Sequence, residues 1–288
     1  MTGPVVVGLD GSPASVAAAW WAADEAVRRN LPVLLLHSWT TQPLNVPIAQ
    51  AAASKQQYGR DVLLRTEAEL LHRYGDLDLT TELVSDPASQ LLLERGERAS
   101  MLVLGSRGHG SLANFLLGSI SLHVLGLAQC PTVTVRAADP AVANGWGHPA
   151  TQDRNEIVVG VSEPGPAVGL LLEFAFASAD AHGTAVRAVR ALPPAVLPPH
   201  RHDDSRSTAE ERLADELAPW REKFPDVPVT AHVETGPAAH VLLAASAHSR
   251  LTVVGRRRHP SHLTWKLGPV AHAALHHLPC PVAVVPHG

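Results

Sequence analysis

Aromatic residues make up only 4% of the 288-residue chain against 45% apolar types in all, so a core must be built from valine, leucine and alanine. Charged types are also few, at 17%, and this balance excludes a disordered or fibrous chain. The two cysteines, Cys130 and Cys280, each precede a proline; they are too few for a disulfide scaffold or zinc cluster and read as buried structural thiols. Lysine occurs three times and never in a Gly-Lys-Ser/Thr tripeptide, which excludes a P-loop. No apolar run approaches the roughly 18–20 residues that cross a bilayer. The opening MTGPVVVGLDGSP lacks a basic segment and enters strand-like sequence at once. A soluble, cytoplasmic protein without a signal peptide is expected.

An excess of positive charge is missing too. Residues 1–137 hold ten basic and twelve acidic side chains, and residues 154–288 hold thirteen of each. Neither half is equipped to neutralise a row of phosphates, so no nucleic-acid or membrane partner is expected. The one basic run, Arg256-Arg257-Arg258, reads most simply as a solvated loop.

What the chain does have is an internal repeat. The segment MLVLG at 101–105 returns as LTVVG at 251–255, and CPTVTV at 130–135 returns as CPVAVV at 280–285. The opening VVVG at 5–8 returns as IVVG at 157–160. A period near 150 residues means two copies of a whole domain: 1–137 and 154–288, joined by a Gly/Pro/Ala-rich linker over 138–153. In the first copy, strands are expected at Val5–Leu9, Val33–His37, Asp78–Val84, Met101–Leu104 and Thr132–Arg136. Helices are expected at Ser15–Arg29, Tyr58–Tyr74, Ala88–Arg98 and Ser119–Ala128. Strands apolar on both faces, alternating with helices, predict α/β domains with open, doubly wound parallel sheets. Such sheets bind ligands beyond the carboxyl ends of their strands, where the strand order reverses.

After the fourth strand comes a glycine pattern: Gly105, two residues, Gly108, nine residues, then Gly118-Ser119. Gly105 and Gly108 let the backbone turn tightly and approach an anion. Gly118-Ser119 opens a helix whose free N–H groups point at the same place, and the Ser119 hydroxyl can cap that helix or donate to a phosphate. The stretch Gly108-His-Gly110-Ser-Leu-Ala113 matches a dinucleotide fingerprint, but it follows the fourth strand and lacks the acidic partner about 20 positions on. His109 reads equally as a phosphate donor or as a solvated loop residue.

This spacing, with the opening VVGLDGSP and the closing CPTVTV, resembles the ATP-binding signature of the universal stress protein family, here as a tandem pair of the actinobacterial type. The resemblance implies five strands per sheet in the order 3-2-1-4-5, of the adenine nucleotide alpha hydrolase-like class. It places Gly8, Asp10 and Ser38 near adenine and ribose. It places Gly105, Ser106, Arg107, Gly108, His109, Gly110 and Ser111, with Gly118, Ser119 and Ile120, around ribose and phosphates. The implied ligand is ATP, or ADP or AMP; by its chemistry Asp10 could hold Mg²⁺ through water, but the resemblance puts it against the nucleoside. It further implies that the last strands mediate pairing of the two domains, with a homodimer of such pairs as an option. No catalytic constellation stands out. The expected role is therefore a nucleotide-dependent regulatory, stress-response protein; the alternatives are a slow ATPase or adenylate-handling enzyme and a structural interaction module without nucleotide.

The second copy departs from the pattern. Ser162 stands for Asp10, Arg258 for Gly108 and Pro269 for Ser119. Proline removes both a hydroxyl and an N–H from the helix start. The second domain is expected to keep the fold and to have lost the nucleotide, unless Arg256–Arg258 reach phosphate through their side chains. His272 and His276, four apart, read as exposed helix residues rather than a metal site. Trp20-Trp21 reads as one core residue beside one at a contact.

Overall fold

The computed structural model describes residues 3–39, 48–106, 117–137, 155–162, 166–194, 202–258 and 267–288. The linker expected at 138–153 and the loop residues 107–116 lie outside them. The chain divides into two compact units, Met1–Gly147 and His148–Gly288.

In the N-terminal unit the order is β1 (Val5–Gly8), α1 (Pro13–Arg29), β2 (Val33–Ser38), α2 (Ile48–Arg73), β3 (Leu79–Val84), α3 (Ala88–Gly96), β4 (Met101–Ser106), α4 (Ser119–Leu127) and β5 (Thr132–Arg136). The strands are parallel in the order β3-β2-β1-β4-β5, with Val5 opposite both Val33 and Met101. Val5, Val6 and Val7 are wholly buried, as expected of a central strand covered on both faces. Each such valine contributes roughly 1.5–3 kcal/mol over its exposed state. The order reverses between β1 and β4.

Local chemistry sets the helix ends. Ser12 caps α1 by accepting from the Ser15 N–H at 3.3 Å, and Pro13 occupies the first helical position, where a missing N–H costs nothing. Asn30, at φ 52°, ends the helix in the left-handed conformation that asparagine tolerates. The buried face of α1 is mostly alanine, which brings its backbone close to the sheet. Neither Trp20 nor Trp21 is fully buried; Trp20 lies 6.3 Å from the Tyr74 ring, so the expectation of one core tryptophan fails. Helix α2 starts ten residues before the expected Tyr58. Its first turns are rich in Ala, Gln and Lys, which favour helix without any apolar periodicity to reveal it.

The C-terminal unit repeats the pattern with β6 (Glu156–Gly160), α5 (Pro166–His182), β7 (Ala185–Leu192), α6 (His202–Lys223), β8 (Val229–Thr235), α7 (Ala238–Ala245), β9 (Leu251–Arg257), α8 (Pro269–His277) and β10 (Val282–His287). Its strand order is β8-β7-β6-β9-β10, the same topology. Larger side chains fill it: Leu171, Leu172 and Phe176 of α5 stand where α1 has Ala18, Ala19 and Ala23. Cys130 and Cys280 are both buried thiols outside any disulfide, as expected, and burial raises the Cys130 thiol to a pKa of about 11. Cys280 sits 3.1 Å from the Ser249 hydroxyl and 3.3 Å from that of Thr252.

The arginine run corrects the sequence reading. Arg256 and Arg257 belong to β9, because β10 continues to His287 and pairs Pro286 with Arg256 and His287 with Arg257. Strand alternation then buries Arg256, only 6% exposed, while Arg257 and Arg258 are exposed.

Candidate functional site

The carboxyl ends of β1, β2 and β4 surround a cavity of about 270 Å³ at the point where the strand order reverses. Gly8, Asp10, Ser38, Gly105, Gly118, Ser119 and Ile120 line it, so seven of the expected residues converge. Arg107, Gly108, His109, Gly110 and Ser111 lie outside the described residues. Ser106 is described but is not among the lining residues; its buried hydroxyl donates to the Val135 carbonyl of β5 at 3.3 Å.

The polar groups at the ends of β1 and β2 are held by their neighbours. The Asp10 carboxylate accepts from the Ser12 N–H at 2.9 Å, and the Asp10 N–H donates to the Ser15 hydroxyl at 3.2 Å. The aspartate is thereby tied to the capped start of α1 while remaining exposed. Gly11 follows with φ +81°, and any Cβ there would strike the Tyr58 hydroxyl. That hydroxyl donates to the Asp10 carbonyl at 3.3 Å, so α2 leans over the same turn. Ser38 donates to the Asp86 carbonyl at 2.5 Å, which fixes the end of β2 to the loop after β3.

Below this turn His37 is buried, with Nδ1 donating to the Leu9 carbonyl at 2.8 Å. Burial holds its imidazole below the ordinary histidine range, opposed by that hydrogen bond and by the charge of Asp10. A neutral imidazole there supports the β1 terminus without adding a cation under the cavity.

The β4 wall requires its glycine, because a Cβ there meets backbone, whereas at the β1 wall it meets only leucine ends. At Gly8 a Cβ would stand 2.9 Å from Leu104 Cδ2, and at Gly105 it would stand 2.5 Å from backbone atoms of Ala14 and Ser15. Gly118 is different: nothing lies within 4 Å of its Cβ position, so the space above it is open. It is the N-cap of α4, at φ −62°, with no side-chain cap; Ser119 is the first helical residue, exposed, and does not cap the helix. The first intrahelical bond runs from the Leu122 N–H to the Gly118 carbonyl, 3.0 Å. The N–H groups of Ser119, Ile120 and Ser121 therefore have no intrahelical partner, at the positive end of the helix dipole.

Hydroxyls that sequence reasoning did not single out complete the lining: Ser12, Ser15 and Ser121. The run Asp10-Gly-Ser-Pro-Ala-Ser signals two of them, since an acid and two hydroxyls at a helix start face one strand end. Among the described residues no cluster of three or more His, Cys, Asp or Glu is placed to hold a metal ion. His272 and His276 stack at 4.3 Å between ring centroids, with His272 exposed.

Comparison with known proteins decides the family. The model of the universal stress protein family matches residues 1–136 and again 154–286. The chain belongs to the universal stress protein family. A family member from Mycobacterium bovis and another from Mycobacterium tuberculosis are each 33% identical over 97% of this chain and 96% of their own length. A further relative, from Mycolicibacterium smegmatis, is 28% identical over 98% of this chain and 96% of its own. Among solved structures, a universal stress protein from Archaeoglobus fulgidus superposes with a TM-score of 0.73 over 99% of this chain and 98% of its own, at 18% identity, a likeness of fold. No helix among the described residues is long and apolar enough to cross a membrane.

Proposed function

We propose that the N-terminal unit binds an adenine nucleotide, ATP or its products ADP and AMP, and that the protein acts as a nucleotide-dependent regulator of the stress response. The observation that carries this is the convergence, at one strand-order reversal, of an anchored carboxylate, several hydroxyls and an uncapped helix N-terminus. Asp10 and Ser38 suit the hydroxyls of a ribose, because a carboxylate accepts two such bonds and a serine hydroxyl both donates and accepts. The free N–H groups at Ser119 and Ile120 suit a phosphate. The open space above Gly118 leaves room for phosphate oxygens to approach the backbone. Mg²⁺, where it accompanies the nucleotide, would meet Asp10 through water. The bound nucleotide would bias conformation or partner choice rather than undergo rapid turnover.

Calorimetric titration of the full chain with ATP tests this. One nucleotide per chain is expected. Asp10→Ser and Ser119→Pro, which copy residues the C-terminal unit carries at the same places, should each weaken binding by roughly 10–100-fold, the value of a charged or charge-assisted hydrogen bond. Two nucleotides per chain, or unchanged affinity in both variants, would overturn the assignment. Phosphate release over many turnovers, lost in Asp10→Ser, would instead make the protein an ATPase.

A further inference from the structure

The C-terminal unit keeps a cavity at the equivalent place, at the carboxyl ends of β6, β7 and β9, and it is twice as large: about 540 Å³ against about 270 Å³. That volume falls within the range of small-molecule sites. Its lining keeps the glycines and leucine of the first cavity but not the polar side chains. Where the first cavity has Ser15 and Ser38, this one has Val168 and Ala191; where the first has Ser119 and Ser121, this one has Pro269 and Ala271. Asp10 has become Ser162. The carboxylate and four hydroxyls have thus gone, and apolar wall has replaced the hydroxyls.

The helix also stands differently against the strand. At Gly105 the nearest atoms to a Cβ are the backbone of α1, 2.5 Å away. At the equivalent Gly255 they are His287 Nε2 at 2.8 Å, His287 Cδ2 at 2.9 Å and Leu171 Cδ2 at 3.1 Å, so the helix backbone stands farther off. Leu171, in place of Ala18, occupies the interval between α5 and β9 and lines the cavity.

Charge has been rewritten with opposite sign. Arg256, Arg257 and His287 line the cavity, and among the described residues that line it none is acidic. Arg256, 6% exposed, replaces Ser106. The arginines repel one another and disfavour further positive charge: burial and Arg258 lower the Arg256 guanidinium, and burial with Arg257, Arg256 and Arg258 lowers the His287 imidazole, which is thereby held neutral and able to donate one N–H. An anionic head suits a lining that holds two arginines and a histidine. The start of α8 adds to it, since Gly268 carries no side-chain cap and the first helical bond runs from the His272 N–H to its carbonyl at 2.9 Å. A nucleotide suits this cavity poorly, because its ribose hydroxyls and base edges would be buried against Val168, Ala191 and Val241 without partners.

We propose that the cavity of the C-terminal unit binds a small organic anion with an apolar body, its anionic head at Arg256 and His287 and its body against the Val168–Leu171–Val241 wall. The protein would then carry two ligand sites of different chemistry. This inference stands whether or not the N-terminal unit binds nucleotide.

Decanoate is the probe, titrated into the full chain by calorimetry, with decanol and AMP as controls. Saturable binding of decanoate at one per chain is expected, at least tenfold tighter than decanol, without competition from AMP. Arg256→Met should weaken decanoate at least tenfold and leave decanol unchanged; Ser119→Pro should change neither. Hydrogen-exchange protection on adding decanoate should fall on β9 and α8. Should Arg256→Met unfold, His287→Gln and that protection pattern carry the test. Equal affinity for decanol, displacement of decanoate by AMP, or protection confined to the N-terminal unit would each overturn the proposal.

Discussion

The two units lay the same strand order around different fillings, and beneath the cavities they differ in two places. One is the helix after the first strand, where Ala18, Ala19 and Ala23 of α1 answer to Leu171, Leu172 and Phe176 of α5. The other is the support beneath the first strand's end. In the N-terminal unit His37 donates to the Leu9 carbonyl; in the C-terminal unit Arg190, the equivalent residue of β7, donates to the Ser162 carbonyl at 2.9 Å and pairs with Glu216 of α6 at 2.6 Å. A neutral prop beneath an acidic, hydroxyl-lined cavity has become a buried ion pair beneath a basic, apolar one. The topology tolerates both because the sheet is held by strands buried on each side, whereas ligand chemistry rests on a few residues at the strand ends.

The largest effect should come from the ion pair. Arg190 and Glu216 side chains are 7% and 16% exposed, and removing one partner leaves a buried charge. Glu216→Ala is expected to destabilise the C-terminal unit by roughly 3 kcal/mol, whereas Arg190→Met combined with Glu216→Leu should restore most of the loss. Hydrogen exchange resolved by peptide will assign the loss to one unit; a similar loss in both, or none, would show that the pair does not hold α6 to the sheet.

Next in size is the glycine comparison. Gly105→Ala forces a methyl into helix backbone and should cost the N-terminal unit roughly 2 kcal/mol, the scale of an overpacked core. Gly255→Ala meets only the ends of His287 and Leu171, which can turn aside, and should cost under roughly 1 kcal/mol. Denaturant unfolding of the two variants gives the ratio directly, and equal costs would contradict the closer approach of α1.

The smallest effect is a pH slope. With its pKa lowered on folding, His37 binds its proton more weakly in the folded than in the unfolded chain. The N-terminal unit should keep this contribution above the ordinary histidine value of about 6.5 and lose it as pH falls through the lower folded value. The groups facing the ring are the Leu9 carbonyl, the Tyr58 ring at 6.1 Å and the Asp10 charge. His37→Gln should flatten that slope in hydrogen exchange of β1 and β2, while the unit that carries His287, lowered likewise, keeps its own. An unchanged slope would remove His37 as its source.

Much of this was legible in the sequence, for reasons that differ by element. The repeat and the buried strands stood out because parallel strands covered on both faces are written as short, uninterrupted apolar runs. Five strands of the first unit fall within about two residues of their expected bounds. The start of α2 was not legible, because propensity without periodicity leaves no pattern to detect. The arginines of β9 were hidden for a related reason: charge suggests a loop, and only the length of β10 makes them strand. At the site, the spacing after the fourth strand pointed to Gly105, Gly118 and Ser119, and the family resemblance to Asp10 and Ser38, all of which line one cavity. It did not show that Ser106 turns its hydroxyl to β5, since the direction of a side chain depends on pairing that no local motif records. Nor did it show a second cavity, because a lining drawn from β6, β7, β9, α5, α7 and α8 leaves no local motif.

The two buried thiols give each unit its own clock. Cys130 and Cys280 are the chain's whole cysteine content, one in each unit at equivalent places. A thiol shut away from solvent, and in the case of Cys130 with its thiolate suppressed, reacts with an alkylating reagent mainly when its unit opens. Alkylation of the unaltered protein, followed by mass, therefore times the opening of both units in one tube. A ligand that binds one unit slows one clock, because it must leave before that unit opens. ATP should retard labelling of Cys130 alone, and decanoate that of Cys280 alone.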